Sequence, residues 1–311
     1  MQRGVTDAAS YTDFEIKEGS HPMKLVTWNT QWCRGLDGMV NTKRIVEGAR
    51  AMADFDVLCL QEIASGYTRM PGAPGDQPAE LRALLPGFQL FFGAAVEEFD
   101  TEGRRMRFGN LVATRLPVAQ VRHHPLPWPA DPAVSTMPRM CTVVTLSSPG
   151  LGALRVMTTH LEYYSARQRS AQARALCALH AEACEQAEAP PKAEYDHSPF
   201  QPKPHTQQAI LCGDFNMQAT DPAYAEIQQP FALAGAGGAP GSRLQDAWPI
   251  MHGQRPHEPT FRLFDKQYGP DPAAFDFVFV SDPLVPRLRR IEVDGRTQAS
   301  DHQPVLVDLE G

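Results

Sequence analysis

The sequence predicts a mixed α/β fold (of α+β character) in which mixed β-sheets carry helices on their outer sides. Three observations point there. Apolar strand-like runs outnumber helical ones, and many neighbouring runs are separated only by short turns. Helical stretches recur mainly after the first, second and central strands, so strand and helix do not alternate throughout as in a parallel Rossmann array. The motifs of such arrays are missing as well: no G-x-G-x-x-G follows a strand, and neither G-x-x-x-x-G-K-[ST] nor G-x-S-x-G occurs.

Taken in order, Met23–Asn29 reads as a strand ending on a polar residue. Val40–Asp54 reads as a helix, with Ile45, Ala49 and Met52 near helical spacing. Val57–Ile63 is a second strand, running out through Gln61-Glu62. A Pro/Gly loop over Met70–Pro78 leads to a short helix, Ala79–Leu85, and a strand, Phe88–Gly93. The polar run Glu97–Arg107 has the look of a hairpin tip before the strand Gly109–Thr114. The proline-rich stretch His123–Pro138 predicts an irregular loop. Met140–Leu146 and Leu154–His160 are strands joined by the turn Ser147-Ser148-Pro149-Gly150. Ser165–Ala187 is the best helix, with Ala171, Ala175, Leu176 and Leu179 as its apolar stripe and Arg167, Arg169 and Arg174 on the solvent side. A proline-rich surface insertion, about residues 188–206, precedes the core strand Ala209–Gly213. Ala232–Gly241 predicts a mobile loop, Phe275–Val280 a buried central strand, and Leu288–Val293 and Val305–Leu309 the last strands. No internal repeat is found.

Composition narrows the class. The 311 residues allow one large domain or two small ones, and 42% hydrophobic content suits a soluble core. A formal charge of -7 does not advertise nucleic-acid binding, although a local basic groove can sit inside an acidic average. The six cysteines form no C-x-x-C pair and several lie in apolar runs, so they read as reduced core residues of a cytoplasmic protein, not as a zinc site or disulfide framework. No run of about eighteen apolar residues exists, so no integral membrane segment is expected. Residues 1–22 carry Asp7, Asp13, Glu15 and Glu18 without an apolar h-region, and read as a surface tail before a domain spanning 23–311.

The most informative stretch is Leu211-Cys212-Gly213-Asp214-Phe215-Asn216-Met217. A carboxylate and a carboxamide two residues apart share one face if the strand continues. At a strand's C-terminal mouth Asp214 can take a proton from water or bind a metal, and Asn216 can donate to a phosphoryl oxygen. The bland alternative is an Asx turn. Other strands and turns repeat the pattern: Asn29, Glu62, His160, Asp276 and Asp301-His302. Burying that many unpartnered polar groups would cost several kcal/mol each, so the pattern predicts that they converge on a common site. Glu62 is a hard oxygen ligand of the kind Mg²⁺ prefers. Asp214 can orient and deprotonate water, while Asn29, Asn216, His160 and His302 can stabilise phosphoryl charge. An Asp276 beside a histidine would keep it protonated.

Trp28-Asn29, Leu60-Gln61-Glu62, Thr159-His160, Gly213-Asp214-Phe215-Asn216, Phe275-Asp276-Phe277-Val278-Phe279 and Ser300-Asp301-His302 resemble, in this order, the motifs of the endonuclease/exonuclease/phosphatase superfamily, which includes DNase I, exonuclease III-like nucleases, neutral sphingomyelinases and inositol 5-phosphatases. The resemblance runs from about Met23 to Leu309. It implies a four-layered α/β/β/α sandwich, DNase I-like, and Mg²⁺- or Mn²⁺-dependent phosphoester hydrolysis. Carried over by position, Glu62 resembles the metal ligand with Asn29 beside it and Asp301 as an additional metal-site acid. Asp214 resembles the water-orienting base, Asn216 a phosphate-binding amide, and Asp276 with His302 the pair at the scissile phosphate. His160 resembles the second histidine of the DNase I and sphingomyelinase branches, and Arg139 a phosphate-contacting arginine. Two departures, Gln31 where repair nucleases have Asp and Thr159-His160 where they have a Tyr/Asn pair, lead away from abasic-site nucleases.

Each residue also has a structural reading. Asn29 could cap a turn, His160 could be a satisfied core histidine, and Asp301 could cap the turn before Gln303-Pro304. His123, His124, His197, His205, His252 and His257 read as loop residues without catalytic roles. A binding module with a dead site would have lost Glu62, Asp214 or His302, and all are present. The partner is a phosphoester substrate: nucleic acid, a small phosphodiester or a phospholipid. The loops that would choose, Tyr67–Pro78, His123–Pro138, Glu188–His205 and Ala232–Gly241, do not identify it, and the oligomeric state is not legible.

Overall fold

The computed structural model describes residues 22–195, 198–233 and 238–311. The tail 1–21, His197 and the centre of the loop expected to be mobile lie outside them. Two six-stranded mixed sheets pack face to face. The first contains β1 (Met23–Asn29), β2 (Val57–Ser65), β3 (Gln89–Phe99), β4 (Arg105–Thr114), β11 (Leu288–Val293) and β12 (Val305–Leu309) in the order β11-β12-β1-β2-β4-β3. The second contains β5 (Val118–Pro125), β6 (Met140–Ser148), β7 (Gly152–His160), β8 (Ala209–Asp214), β9 (Leu244–Asp246) and β10 (Asp276–Ser281) in the order β5-β6-β7-β8-β10-β9. Each sheet holds a parallel pair, β1 with β2 and β7 with β8, among antiparallel neighbours. The helices α1 (Thr42–Met52), α2 (Gln77–Leu84), α3 (Ala166–Glu188), α4 (Pro222–Ile227) and α5 (Ala247–His252) complete the described elements, apart from a 3-10 turn at Asp282–Arg287.

The four layers follow from strand periodicity. Alternate residues of β1 and β2 go to opposite faces: Leu25, Val57 and Cys59 meet Val144, Val156, Ile210 and Val278 between the sheets. Val26, Trp28, Leu58 and Leu60 pack outward with Ile45, Val46, Ala49 and Leu81 of α1 and α2. In the second sheet Met157, Leu211, Phe277 and Phe279 pack outward with Ala173 and Leu176 of α3 and with α4. Strands covered on both faces are therefore nearly continuous apolar runs. Truncating one of these buried side chains to alanine would cost about 2–5 kcal/mol. Gln61 is a buried polar tie across the middle layer, donating to Thr27 Oγ1 in one sheet (3.2 Å) and Thr158 Oγ1 in the other (2.9 Å).

Helix starts are set by caps. Asn41 accepts from Arg44 N, Ser165 from Gln168 N, and Asp246 from Trp248 N.

Several local expectations need correction. His123–Pro138 is not loop throughout: β5 claims His123 and His124 as an edge strand whose partner row is in β6. His252 ends α5. The buried face of α3 is Gln168, Gln172, Ala173, Leu176, His180 and Cys184, so the apolar stripe is rotated and largely polar. Arg169 is not on the solvent side: it donates to the carbonyls of Glu162 and Tyr163 and pairs with Asp221. No such correction falls on the Gly/Ala/Pro segment: at its flanks Leu233 N donates to Ala239 O and Gly241 N to Phe231 O, and its centre lies outside the described residues.

Candidate active site

The C-terminal ends of β1, β7 and β8, and a bulge in β2, open towards one end of the sandwich. Because β10 runs antiparallel to β8, its first residue pairs with the last of β8, which sets Asp276 against Asp214. The turn before β12 is drawn in by Trp28, whose Nε1 donates to His302 O (2.9 Å), and by Ser300, whose hydroxyl donates to Asn29 O (2.8 Å). Glu62 sits at the register shift of β2 with φ 59°, and Asn216 follows β8 with φ 49°. Gln31, Trp32 and Cys33 after β1 are left-handed too (φ 47°, 44° and 58°). Such conformations are costly for non-glycine residues and persist where surrounding structure holds them, as at functional sites. Gly213 is required here: its φ is 137°, and a Cβ would lie 2.0 Å from Thr159 O.

The polar side chains form one connected set. Asn29 Nδ2 donates to Glu62 Oε1 (3.1 Å) and Asp214 Oδ2 (2.9 Å), while its own carbonyl accepts from Gln31 N. Asp214 Oδ1 accepts from Asn216 N (2.8 Å). His302 Nδ1 meets Asp276 Oδ2 at 2.8 Å, and its Nε2 lies 3.6 Å from Asp214 Oδ2. His160 Nε2 lies 3.5 Å from the same Asp214 oxygen and 3.9 Å from Glu62. Asp301 accepts from Gln31 Nε2 (2.9 Å). Arg139 donates through Nε to buried Glu162 (3.2 Å), and its buried Nη1 has no partner.

Burial pushes Glu62 up to about 7, with the charge of Asp301 adding to it, and raises Asp301 as well. Asp214 rises to about 6 for the same reason, with Asp276 adding to it. Burial alone would lower His302, but Asp276 and Asp214 outweigh it and hold the imidazolium up to about 10. Burial, Arg139 and His302 keep His160 well below the usual histidine range. His160 is therefore neutral at pH 7 and its Nε2 accepts from Asn216 Nδ2 (2.9 Å), so its closeness to Asp214 is not an ion pair. Asn216 Nδ2 also donates to Leu161 O (2.9 Å). Both amide hydrogens are thus used within the protein, and the expected donation from Asn216 to a phosphoryl oxygen does not fit this arrangement.

Glu62, Arg139, His160, Asp214, Asn216, Asp301 and His302 line a cavity of about 570 Å³; Asn29 and Asp276 stand behind them. Among the described residues, Asp214, Asp276 and His302 place one ligand atom each within 4.8 Å of one another and could hold a metal ion. Glu62 and Asp301 are a second hard-oxygen pair, each raised by burial, which a divalent cation would relieve.

Several site residues escaped the sequence reading. Phe261 stacks on His302 (centroids 4.4 Å, planes 26° apart), an arrangement that suits a cationic ring. The hydroxyl of Thr260 accepts from Phe275 N and Asp276 N, fixing the start of β10. Pro259-Thr260-Phe261 was the available signal, but it lies in no periodic run. Tyr163, Tyr164, Tyr268, Trp128 and Tyr67 form much of the remaining wall.

A model of the Endonuclease/Exonuclease/phosphatase family matches residues 26–302. No curated protein sequence matches. Among solved structures, an endonuclease/exonuclease/phosphatase from Beutenbergia cavernae is similar at 24% identity and TM-score 0.63, over 93% of this chain and 71% of that one. The mannosyl-6-phosphatase of Bacteroides thetaiotaomicron is similar at 17% identity and TM-score 0.61, over 92% and 99%. The human Nocturnin catalytic domain is similar at 18% identity and TM-score 0.56, over 92% and 93%. At these identities the structures speak for the fold, while the family model spans most of the sequence. The chain belongs to the endonuclease/exonuclease/phosphatase family, whose members are hydrolases acting on phosphoester bonds.

Proposed function

We propose that this protein is a Mg²⁺- or Mn²⁺-dependent phosphodiesterase that cleaves by in-line attack of water. The observation that carries the reading is Asp214: one carboxylate tied through Asn29 to the acid Glu62, and set 3.6 Å from an imidazolium held by Asp276. Glu62 and Asp301 would hold the metal, with Asn29 orienting Glu62. The alternative set including His302 would first have to strip that ring of a proton, which Asp276 opposes. When bound, the cation supplies Lewis-acid polarisation of a phosphoryl oxygen.

The protein's own residues account for the remaining roles. Asp214, raised to about 6 yet ionised at neutral pH, takes the proton of the attacking water. His302 offers its Nε2 proton to a phosphoryl oxygen as charge develops. The orphan Nη1 of Arg139 provides a second donor at the cavity wall. Asn216 acts through His160, fixing its tautomer and ring position.

The lining also bears on the substrate. Arg139 is the one guanidinium among the lining residues, no lysine joins it, and eight of the rest are Trp, Tyr or Phe. A polyphosphorylated inositol would need more cations. A singly charged diester flanked by a planar or apolar group suits the wall, because bases stack on aromatic side chains. A nucleotide diester is therefore favoured over an inositol phosphate, with a phospholipid headgroup as the second reading. The test is hydrolysis of a dinucleotide diester, bis-p-nitrophenyl phosphate, sphingomyelin and inositol phosphates with Mg²⁺ and with EDTA. Diester cleavage abolished by EDTA and restored by Mg²⁺ is expected; full activity in EDTA would overturn the metal-dependent reading.

A further inference from the structure

We propose that the outer face of the second sheet carries an anion site, apart from the hydrolytic cavity, in which Arg155 and Arg122 bind a small inorganic oxyanion such as phosphate. Arg155 lies in β7 five residues before His160, roughly 17 Å along the strand. Its side chain turns away from the middle layer, on the same face as Met157. Only 7% of the residue is exposed.

The partners of this guanidinium are all neutral. Nε donates to Thr206 O (3.1 Å), Nη1 to Met157 Sδ (3.8 Å) and Nη2 to His180 Nδ1 (2.9 Å). His180 gives its own proton through Nε2 to Ser242 O (2.6 Å), and so accepts from Arg155 as an uncharged ring. Burial and the nearby Arg155 push His180 down to about 4, in keeping with that state. Among the described residues no carboxylate forms an ion pair with Arg155. Buried charges are ordinarily paired, since an uncompensated one is costly.

The surroundings supply further donors and hardly any acid. Strand register sets Gln120, Thr145 and Arg155 in one row across β5, β6 and β7, with Arg122, Val143 and Met157 in the next. A cavity of about 30 Å³ opens beside them, lined also by His124, His205 and Thr206. It has room for one or two waters, too little for a sugar or a base. That size selects a small oxyanion with its remaining oxygens in solvent. Glu182 faces Arg122 at 3.5 Å, but both are about half exposed, and such surface pairs are weak. Two guanidiniums converging on one small opening match the fork geometry that binds tetrahedral oxyanions.

The inference is independent of the hydrolytic reading. It is tested by titrating the full chain, in EDTA and at constant ionic strength, with inorganic phosphate while following NMR shifts. Saturable shifts at His124, His205 and Thr206 are expected. Arg122→Gln should weaken them about tenfold, the loss of one charge-assisted contact. Arg155→Gln should abolish them; if it fails to fold by circular dichroism, Arg155→Lys and Arg122→Gln decide. Shifts confined to the surroundings of His302 and Arg139, or saturable shifts unchanged in Arg122→Gln, would overturn the proposal.

Discussion

His160 and His302 each bring Nε2 close to the same oxygen of Asp214, at 3.5 and 3.6 Å, and both are buried. Yet one is neutral and the other is an imidazolium. Closeness to the shared carboxylate does not by itself decide the difference, although Asp214 adds to the rise of His302. The difference lies in the next residue out: Asp276 accepts from His302 Nδ1, whereas His160 faces Arg139 and takes an N–H from Asn216. A common neighbour brings the rings together, and the outer partners assign their protonation. This is the usual way in which one site divides acid and base roles.

Removing the shared member should have the largest effect. Asp214→Asn keeps the shape but loses the base and one of the two acceptors that face Asn29 and Asn216, and turnover should fall by about 10² to 10⁴-fold with folding intact by circular dichroism. Near-normal turnover would sink the assignment.

Removing only the outer acid comes next. Asp276→Asn takes away the anion that holds His302 up, so its pKa should fall from about 10 towards the ordinary value, visible in an imidazole NMR titration. Turnover should drop by about 10²-fold. The sign for stability is also set. A raised histidine contributes fully below its unfolded value and loses that contribution as pH climbs through about 10. The variant should lose stability most at low pH within that window, measured by urea unfolding at several pH values.

The comparison also predicts a pH profile. On the proposed mechanism turnover needs Asp214 ionised and His302 protonated, which gives a plateau between limbs at about 6 and about 10. In Asp276→Asn the alkaline limb should move down most, with a smaller downward movement of the acid limb because Asp276 also adds to the rise of Asp214; movement of the acid limb alone would reverse the roles.

On the His160 side the effect should be smaller. Asn216→Ala frees an uncharged ring, and a loss of about tenfold is expected in steady-state turnover. Ser147→Ala, at the far end of the β6–β7 hairpin, should change nothing measurable.

Much of this site was readable because the chemistry sits where apolar strands stop. Asn29, His160 and Asp214 end such runs, and Asp276 begins one. What escaped did so for physical reasons. The two-residue spacing from Asp214 to Asn216 suggested a shared strand face, but the left-handed backbone at Asn216 ends the strand and sends the amide to His160 instead. Phe261 and Thr260 act from irregular backbone, where periodicity carries no signal. The polar edge strand β5 hid behind Arg122-His123-His124-Pro125, because an edge needs no apolar run. α3 buries Gln168, Gln172 and His180 by hydrogen bonding, so its inner face is invisible to an apolar stripe. The caps of α4 and α5, Asp221 before Pro222 and Asp246, were present but the helices are too short to show a period.

The order in which strands join has a consequence for synthesis. All strands of the second sheet lie between Val118 and Ser281, so they can be assembled while the chain is still being translated. The first sheet cannot close until β12 has emerged, because β1 pairs with β12, Met23 against Leu309. His302 arrives only just before that last strand. A nascent chain therefore carries Asp214 early and His302 late, and the proposed hydrolytic competence should appear only once β12 has emerged and paired with β1.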